Sequence, residues 1–143
     1  MRPTKTQYYL EIAKAVALRG TCLRRNYGAV IVKNDVIVGT GYTGSPRGAL
    51  NCCDTGKCVR QELNIPSGER YELCHSVHAE QNAIINAGRD KCIDATMYLI
   101  GINASITANE RLISNPKPCD MCRRLIINAG IKEVITPSGF IIY

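Results

Sequence analysis

Apolar positions along this chain repeat at two periods. Between Thr4 and Arg19 they recur at helical spacing, at Tyr8, Leu10 or Ile12, Ala15, Val16 and Leu18. That predicts a packing helix with Thr4 as its N-cap and Gly20 as its stop. Gly28–Lys33 and Val36–Tyr42 are nearly continuous β-branched runs on either side of Asn34-Asp35. They read as two strands joined by a tight turn and covered on both faces. Thr43–Gly48 is dense in Gly and Pro, hence a loop of special geometry. Asn51–Cys74 has no convincing period, and a loop of that length is expected to be functional or pinned. Val77–Gly88 predicts a helix, Thr96–Ile100 a short buried strand, and Cys119–Ala129 a helix stopped by Gly130. Glu133–Thr136 is another strand and Phe140–Tyr143 an extra edge strand, while Ile102–Asn115 reads as an inserted loop with one helical turn. Strands joined through helices require a parallel pair, so the order predicts an α/β fold with a mixed sheet.

At 143 residues the chain reads as one domain, residues 1–143. No apolar run approaches the ~20 residues of a membrane helix, which argues against a membrane partner. The N-terminus lacks the order of a signal peptide, so the eight cysteines are expected to be reduced, metal-binding and cytosolic. The formal charge is +6. It falls to about +4 if two zinc ions and their deprotonated ligands are counted. That suits an anionic small molecule. It is weak support for nucleic acid, since no basic stripe is interleaved with aromatics and the chain has one Phe and no Trp.

The chemistry concentrates in two stretches. Ser76-Val-His-Ala-Glu-Gln-Asn-Ala83 offers an imidazole, His78, and two residues on a carboxylate, Glu80. Asn115-Pro-Lys-Pro-Cys-Asp-Met-Cys122 offers Cys119 and Cys122 after a proline that suits a helix start. A Cys-x-x-Cys at a helix N-terminus gathers two sulfurs where the dipole favours thiolates. One His and two Cys make three zinc ligands with the fourth position open, a catalytic count. Glu80 is then free to carry a proton.

The paired motifs resemble those of the zinc-dependent nucleobase deaminases. Thr21–Val30, Gly39-Thr-Gly-Tyr-Thr-Gly-Ser-Pro-Arg-Gly48 and Val77–Ile84 narrow the resemblance to the deoxycytidylate deaminases over nearly the whole chain. It implies a cytidine-deaminase-like three-layer α/β fold, a mixed five-stranded sheet flanked by helices, with zinc between the two ligand-bearing helices. It implies hydrolytic deamination of dCMP to dUMP and ammonia, feeding dTMP synthesis. Thr43 and Gly44 belong to the loop that holds the sugar and phosphate end, Thr43 standing where Asn is usual. The Ala79 N–H and the neighbourhood of Cys119 are implied to hold the pyrimidine edge. Arg25, Ser45 and Arg47 are phosphate candidates. The resemblance also implies a cytoplasmic homo-oligomer, often a hexamer, regulated by dCTP and dTTP, and Arg89 is a candidate subunit contact.

Cys22, Cys52, Cys58 and Cys74 remain for a second zinc, and the resemblance implies a structural one that would tie the long loop to the first helix–strand corner. Cys53 could replace Cys52, and His75 could replace Cys74. Reduced, partly buried thiols are the plainer reading, and are enough for Cys92. Two other functions compete. One is a deaminase of another cytosine or guanine compound or of a base in nucleic acid. The other is a non-catalytic, zinc-containing nucleotide-sensing module, which would have no need of Glu80.

Overall fold

The Gly28–Val32 run is apolar throughout because helices cover both its faces. In the computed structural model, which describes residues 1–104 and 111–143, β1 (Arg25–Lys33) lies between β2 (Val36–Tyr42) and β3 (Thr96–Asn103), antiparallel to both. β4 (Glu133–Thr136) runs parallel to β3, and β5 (Gly139–Ile142) is antiparallel to β4. The result is the mixed five-stranded sheet expected, in the order β2-β1-β3-β4-β5. Its parallel pair needs a crossover, and α6 (Asp120–Ala129) lies within it.

Alternation along the strands splits the core in two. Val30, Val32, Tyr98, Ile100 and Ile102 face α1 (Lys5–Ala17). Ala29, Ile31, Met97, Leu99 and Val134 face the layer of α4 (Ala79–Ala87), α5 (Arg89–Cys92) and α6. Thr4 caps α1 as predicted: its hydroxyl accepts the Gln7 N–H at 3.1 Å, and the Gln7 side chain accepts the Thr4 N–H at 2.9 Å. The buried stripe of α1 matches the predicted one only in part: Leu10, Ile12 and Val16 pack against the core, but the fully buried positions are others. Tyr9, Ala13 and Ala17 are buried, whereas Tyr8 and Leu18 are about half exposed. The cause is close approach, since a Cβ on Gly28 would lie 2.1 Å from the Ala13 carbonyl oxygen and 2.5 Å from the Ala17 nitrogen. Only alanines fit between helix and strand there.

The same device seats α4 on β2. A Cβ on Gly41 would lie 2.3 Å from the Ala83 nitrogen. Asn82 and Asn86, one turn apart, donate to the Tyr42 and Thr40 carbonyls at 2.9 and 2.7 Å. β2 is not covered on both faces as predicted. It is an edge strand, with Val36 and Ile37 exposed.

Residues 51–74 hold more structure than their lack of period suggests. Two four-residue helices, α2 (Cys52–Thr55) and α3 (Val59–Glu62), precede a 3₁₀ turn at Tyr71–Leu73. Elements this short carry no readable period. β3 runs to Asn103 rather than Ile100, and Leu112 returns to bridge Ile102. Within the predicted inserted loop, residues 105–110 lie outside the described residues.

Candidate active site and metal centre

Two helix N-termini converge on one spot. His78 is the N-cap of α4, one residue ahead of the helix, and its N–H donates to Gln81 Oε1 at 2.8 Å. α4 therefore starts at Ala79, later than Val77, because Val77 is held in a bridge with Gly44. Pro118 lies two residues ahead of α6, before the N-cap, so it precedes the helix instead of opening it. Cys119 is the N-cap of α6, and its sulfur accepts the Cys122 N–H at 3.4 Å. Both helices thus aim unpaired N–H groups and positive dipole ends at the site.

His78 Nδ1 lies 3.6 Å from Cys119 Sγ and 3.3 Å from Cys122 Sγ, and the three donor atoms fall within 4.8 Å of one another. Ordinary Zn–N and Zn–S bonds at a tetrahedral angle put nitrogen and sulfur about 3.6 Å apart. The donor set fits zinc in chemistry and in spacing. The Cys122 thiol that bonds to Cys119 holds Cys119 down to about 4, with His78 helping, and the same bond pushes Cys122 up. The bond to Cys119 likewise raises His78. Cys119 is thus the favoured thiolate of the pair, and Cys122 would give up its proton on ligating a metal.

Glu80, the second residue of α4, is 4% exposed. Burial pushes its carboxyl up, against a downward pull from His78. It opens onto the same cavity of about 620 Å³ that His78, Ala79 and Cys119 line. Arg25 and Thr43 line it too. The Thr43 hydroxyl accepts the Tyr27 N–H at 3.0 Å, which orients it in the wall. Gly44 does not line the cavity; it exchanges backbone bonds with Val77 and so clamps the chain just ahead of His78. Ser45 and Arg47 stand outside the cavity. The Ser45 N–H donates to Asn51 and its buried hydroxyl has no partner among the described residues, while the exposed Arg47 donates to Asn86 at 3.0 Å. Arg89 opens α5, exposed and remote from this cavity.

Sequence reading missed Arg24, Tyr27, Arg60, Tyr71 and Lys117, which also line the cavity. Arg24, Tyr27 and Lys117 lie within quoted motifs and could have been noticed. Arg60 and Tyr71 lie in the stretch without period and carried no signal. Among the described residues, the lining carries Arg24, Arg25, Arg60 and Lys117 against one acid, Glu80, so this part of the wall is basic.

Cys22, Cys58 and Cys74 line another part of the cavity, and Cys52 lies buried nearby. Burial raises the Cys52 thiol, and Cys22, Cys74 and Cys58 are close enough to raise it further. Cys53 and His75 are exposed. Among the described residues, only His78, Cys119 and Cys122 form a group at metal-ligand spacing.

Fold and site together define a class: a three-layer α/β protein with a His and a Cys-x-x-Cys at two converging helix N-termini, beside a buried carboxylate. The chain matches, over residues 3–137, the family described as cytidine and deoxycytidylate deaminase zinc-binding region, and it belongs to that family. It is 36% identical to a deoxycytidylate deaminase of Mycobacterium phage D29, covering 96% of this chain and 97% of that one. It is also 36% identical to the deoxycytidylate deaminase of Schizosaccharomyces pombe over 97% of this chain, but spans only 38% of that protein's length. Among solved structures, a dCMP deaminase from the cyanophage S-TIM5 superposes with a TM-score of 0.63 at 25% identity, covering 95% of this chain and 84% of that one. Among the described residues, no helix is long and apolar enough to cross a membrane.

Proposed function

We propose that this chain is a zinc-dependent hydrolase that deaminates dCMP to dUMP and ammonia. One observation carries the reading: His78, Cys119 and the buried Glu80 line a single cavity, with Cys122 buried behind them, its sulfur 3.3 Å from His78 Nδ1. The relatives' shared description supports the substrate. His78, Cys119 and Cys122 would hold zinc, which when bound would acidify a water and so supply a nucleophile near neutral pH. Glu80 accepts the proton that the attacking water loses. It passes that proton to ring N3 as C4 becomes tetrahedral, then moves the C4 hydroxyl proton to the amine, so that the C–N bond breaks, ammonia leaves and C4 becomes a carbonyl. Its burial supports this role, because a carboxyl raised towards neutrality both accepts and returns a proton readily. The Ala79 N–H, at the start of α4, holds the pyrimidine edge. Thr43 contacts the sugar, and Arg25 pairs with the phosphate. Ammonia release from dCMP, CMP, deoxycytidine and dCTP, assayed in parallel, tests this. The expected result is a clear preference for dCMP, and equal kcat/KM on deoxycytidine would contradict it.

A structural zinc on Cys22, Cys52, Cys58 and Cys74 belongs to the same reading. It is supported by the thiols' proximity and by the Arg24 N–H that donates to Cys22 Sγ at 3.4 Å. We also read the working form as a homo-oligomer, a hexamer with Arg89 in a subunit contact, activated by dCTP and inhibited by dTTP. This part rests on family resemblance. Hyperbolic kinetics indifferent to both triphosphates would contradict it.

A further inference from the structure

His78 can face both sulfurs only if its ring is held in one plane. The bond to Gln81 holds its main chain, but the ring turns about two bonds beyond that. A metal-ligating imidazole is ordinarily oriented by a hydrogen bond at its second nitrogen. Among the described residues, the His78 ring makes hydrogen bonds only through Nδ1, to the two cysteines. What lies against the ring is Tyr71, with centroids 5.0 Å apart and planes at 82°. That is the edge-on geometry aromatic quadrupoles favour.

Tyr71 is itself clamped. Arg60 Cζ sits 4.8 Å from the Tyr71 ring centroid. Arg60 is 8% exposed, although the four residues that follow it are all exposed. Among the described residues no carboxylate pairs with it. Its Nε donates to the Glu69 carbonyl at 3.0 Å and Nη2 donates to the Pro66 carbonyl at 3.1 Å. A buried cation without an acid is costly, so two carbonyls and a π face compensate it here. Those bonds tie the turn at residues 66–69 back to α3 and deliver Tyr71, at the end of that turn, against His78.

We propose that Tyr71, clamped by Arg60, is a positioning residue that sets the plane of the His78 ring, in place of a hydrogen bond at its second nitrogen. This rests on His78 being a zinc ligand, as read above. It also joins the cysteine-bearing segment 51–74 to the catalytic metal site through one aromatic ring.

The test uses the full-length protein with cobalt(II) exchanged for the catalytic zinc. It records visible ligand-field bands, the rate of metal release to a chelator, and kcat and KM for dCMP. In Tyr71→Leu the bands should shift and release should quicken about tenfold or more, the scale seen when an outer-shell support of a ligand is lost. kcat should fall while KM changes less than about twofold. Tyr71→Phe keeps the ring and should keep the bands. Arg60→Met should move bands and release in the same direction as Tyr71→Leu. Tyr71→Leu with unaltered bands and release, or with a change in KM alone, overturns the inference. If Tyr71→Leu does not fold, Arg60→Met decides, and unaltered bands and release overturn it equally. Failure of the parent reading looks different: unsubstituted protein would then show no cobalt bands of a His/Cys site at all.

Discussion

A substrate phosphate entering this cavity would meet Arg25 but not Arg47. Arg25 lines the wall, beside the Tyr27 hydroxyl, whereas Arg47 is spent on Asn86 outside it. A charge-assisted hydrogen bond contributes about 1.5–3 kcal/mol, and an exposed arginine delivers the lower end of that. Arg25→Met should therefore raise KM for dCMP about tenfold and leave deoxycytidine unaffected, while Arg47→Met should change either by less than about twofold. The reverse ranking in steady-state kinetics would remove Arg25 from the phosphate site. At this scale, legibility followed local spacing. His78, Glu80, Cys119 and Cys122 could be read because each pair sits within one turn of chain. Arg60 and Tyr71 could not, because eleven positions separate them and only the folded turn at residues 66–69 brings them together. Arg47 looked equivalent to Arg25 because sequence does not say which side of a loop faces the cavity.

α1 is secured to the β1–β2 turn by polar contacts as well as by its alanine stripe. The Tyr9 hydroxyl donates to Asp35 Oδ1 at 2.7 Å, and Lys5 Nζ pairs with the same carboxylate. The bond to Asp35, and then burial, push Tyr9 up to about 12 from its ordinary 10.0. The folded value is the higher one, so the bond's stabilisation is complete below the unfolded value of 10.0 and is lost as pH rises towards about 12. Denaturant unfolding should find Tyr9→Phe less stable than the parent at pH 8, with the gap closing above pH 10. A gap that stays constant to pH 12 would contradict the assignment of that stability to the protonated Tyr9–Asp35 bond. Element existence and order were legible because strands β1, β3 and β4 and helices α1, α4 and α6 each carry an apolar period or a cap. Helix faces were less so. Gly28 and Gly41 let backbones approach until only alanine fits, and a pattern search weighted by large apolar residues points only in part to the right stripe.

Across the whole molecule, the cysteines fall into two groups that are placed differently. Cys119 and Cys122 sit at the N-terminus of α6, Cys119 lining the cavity and Cys122 buried behind it, whereas Cys22, Cys58 and Cys74 lie close to the buried Cys52. If the second group holds a closed site, the purified protein should carry two zincs per chain, and mild chelation should remove the catalytic one first. Cys58→Ser should then lower thermal stability more than catalytic zinc content, because ligation energy there is folding energy. One zinc per chain with an unchanged melting temperature would remove the second site. The central claim is narrower: zinc on His78, Cys119 and Cys122, with Glu80 moving the proton. Glu80→Gln, nearly isosteric and outside the ligand set, tests it most directly by zinc content and ammonia release from dCMP on one preparation. The expected result is full zinc occupancy with turnover lowered by about 10²–10⁴-fold. A variant that deaminates dCMP at the parental rate, or that loses its catalytic zinc, would contradict it.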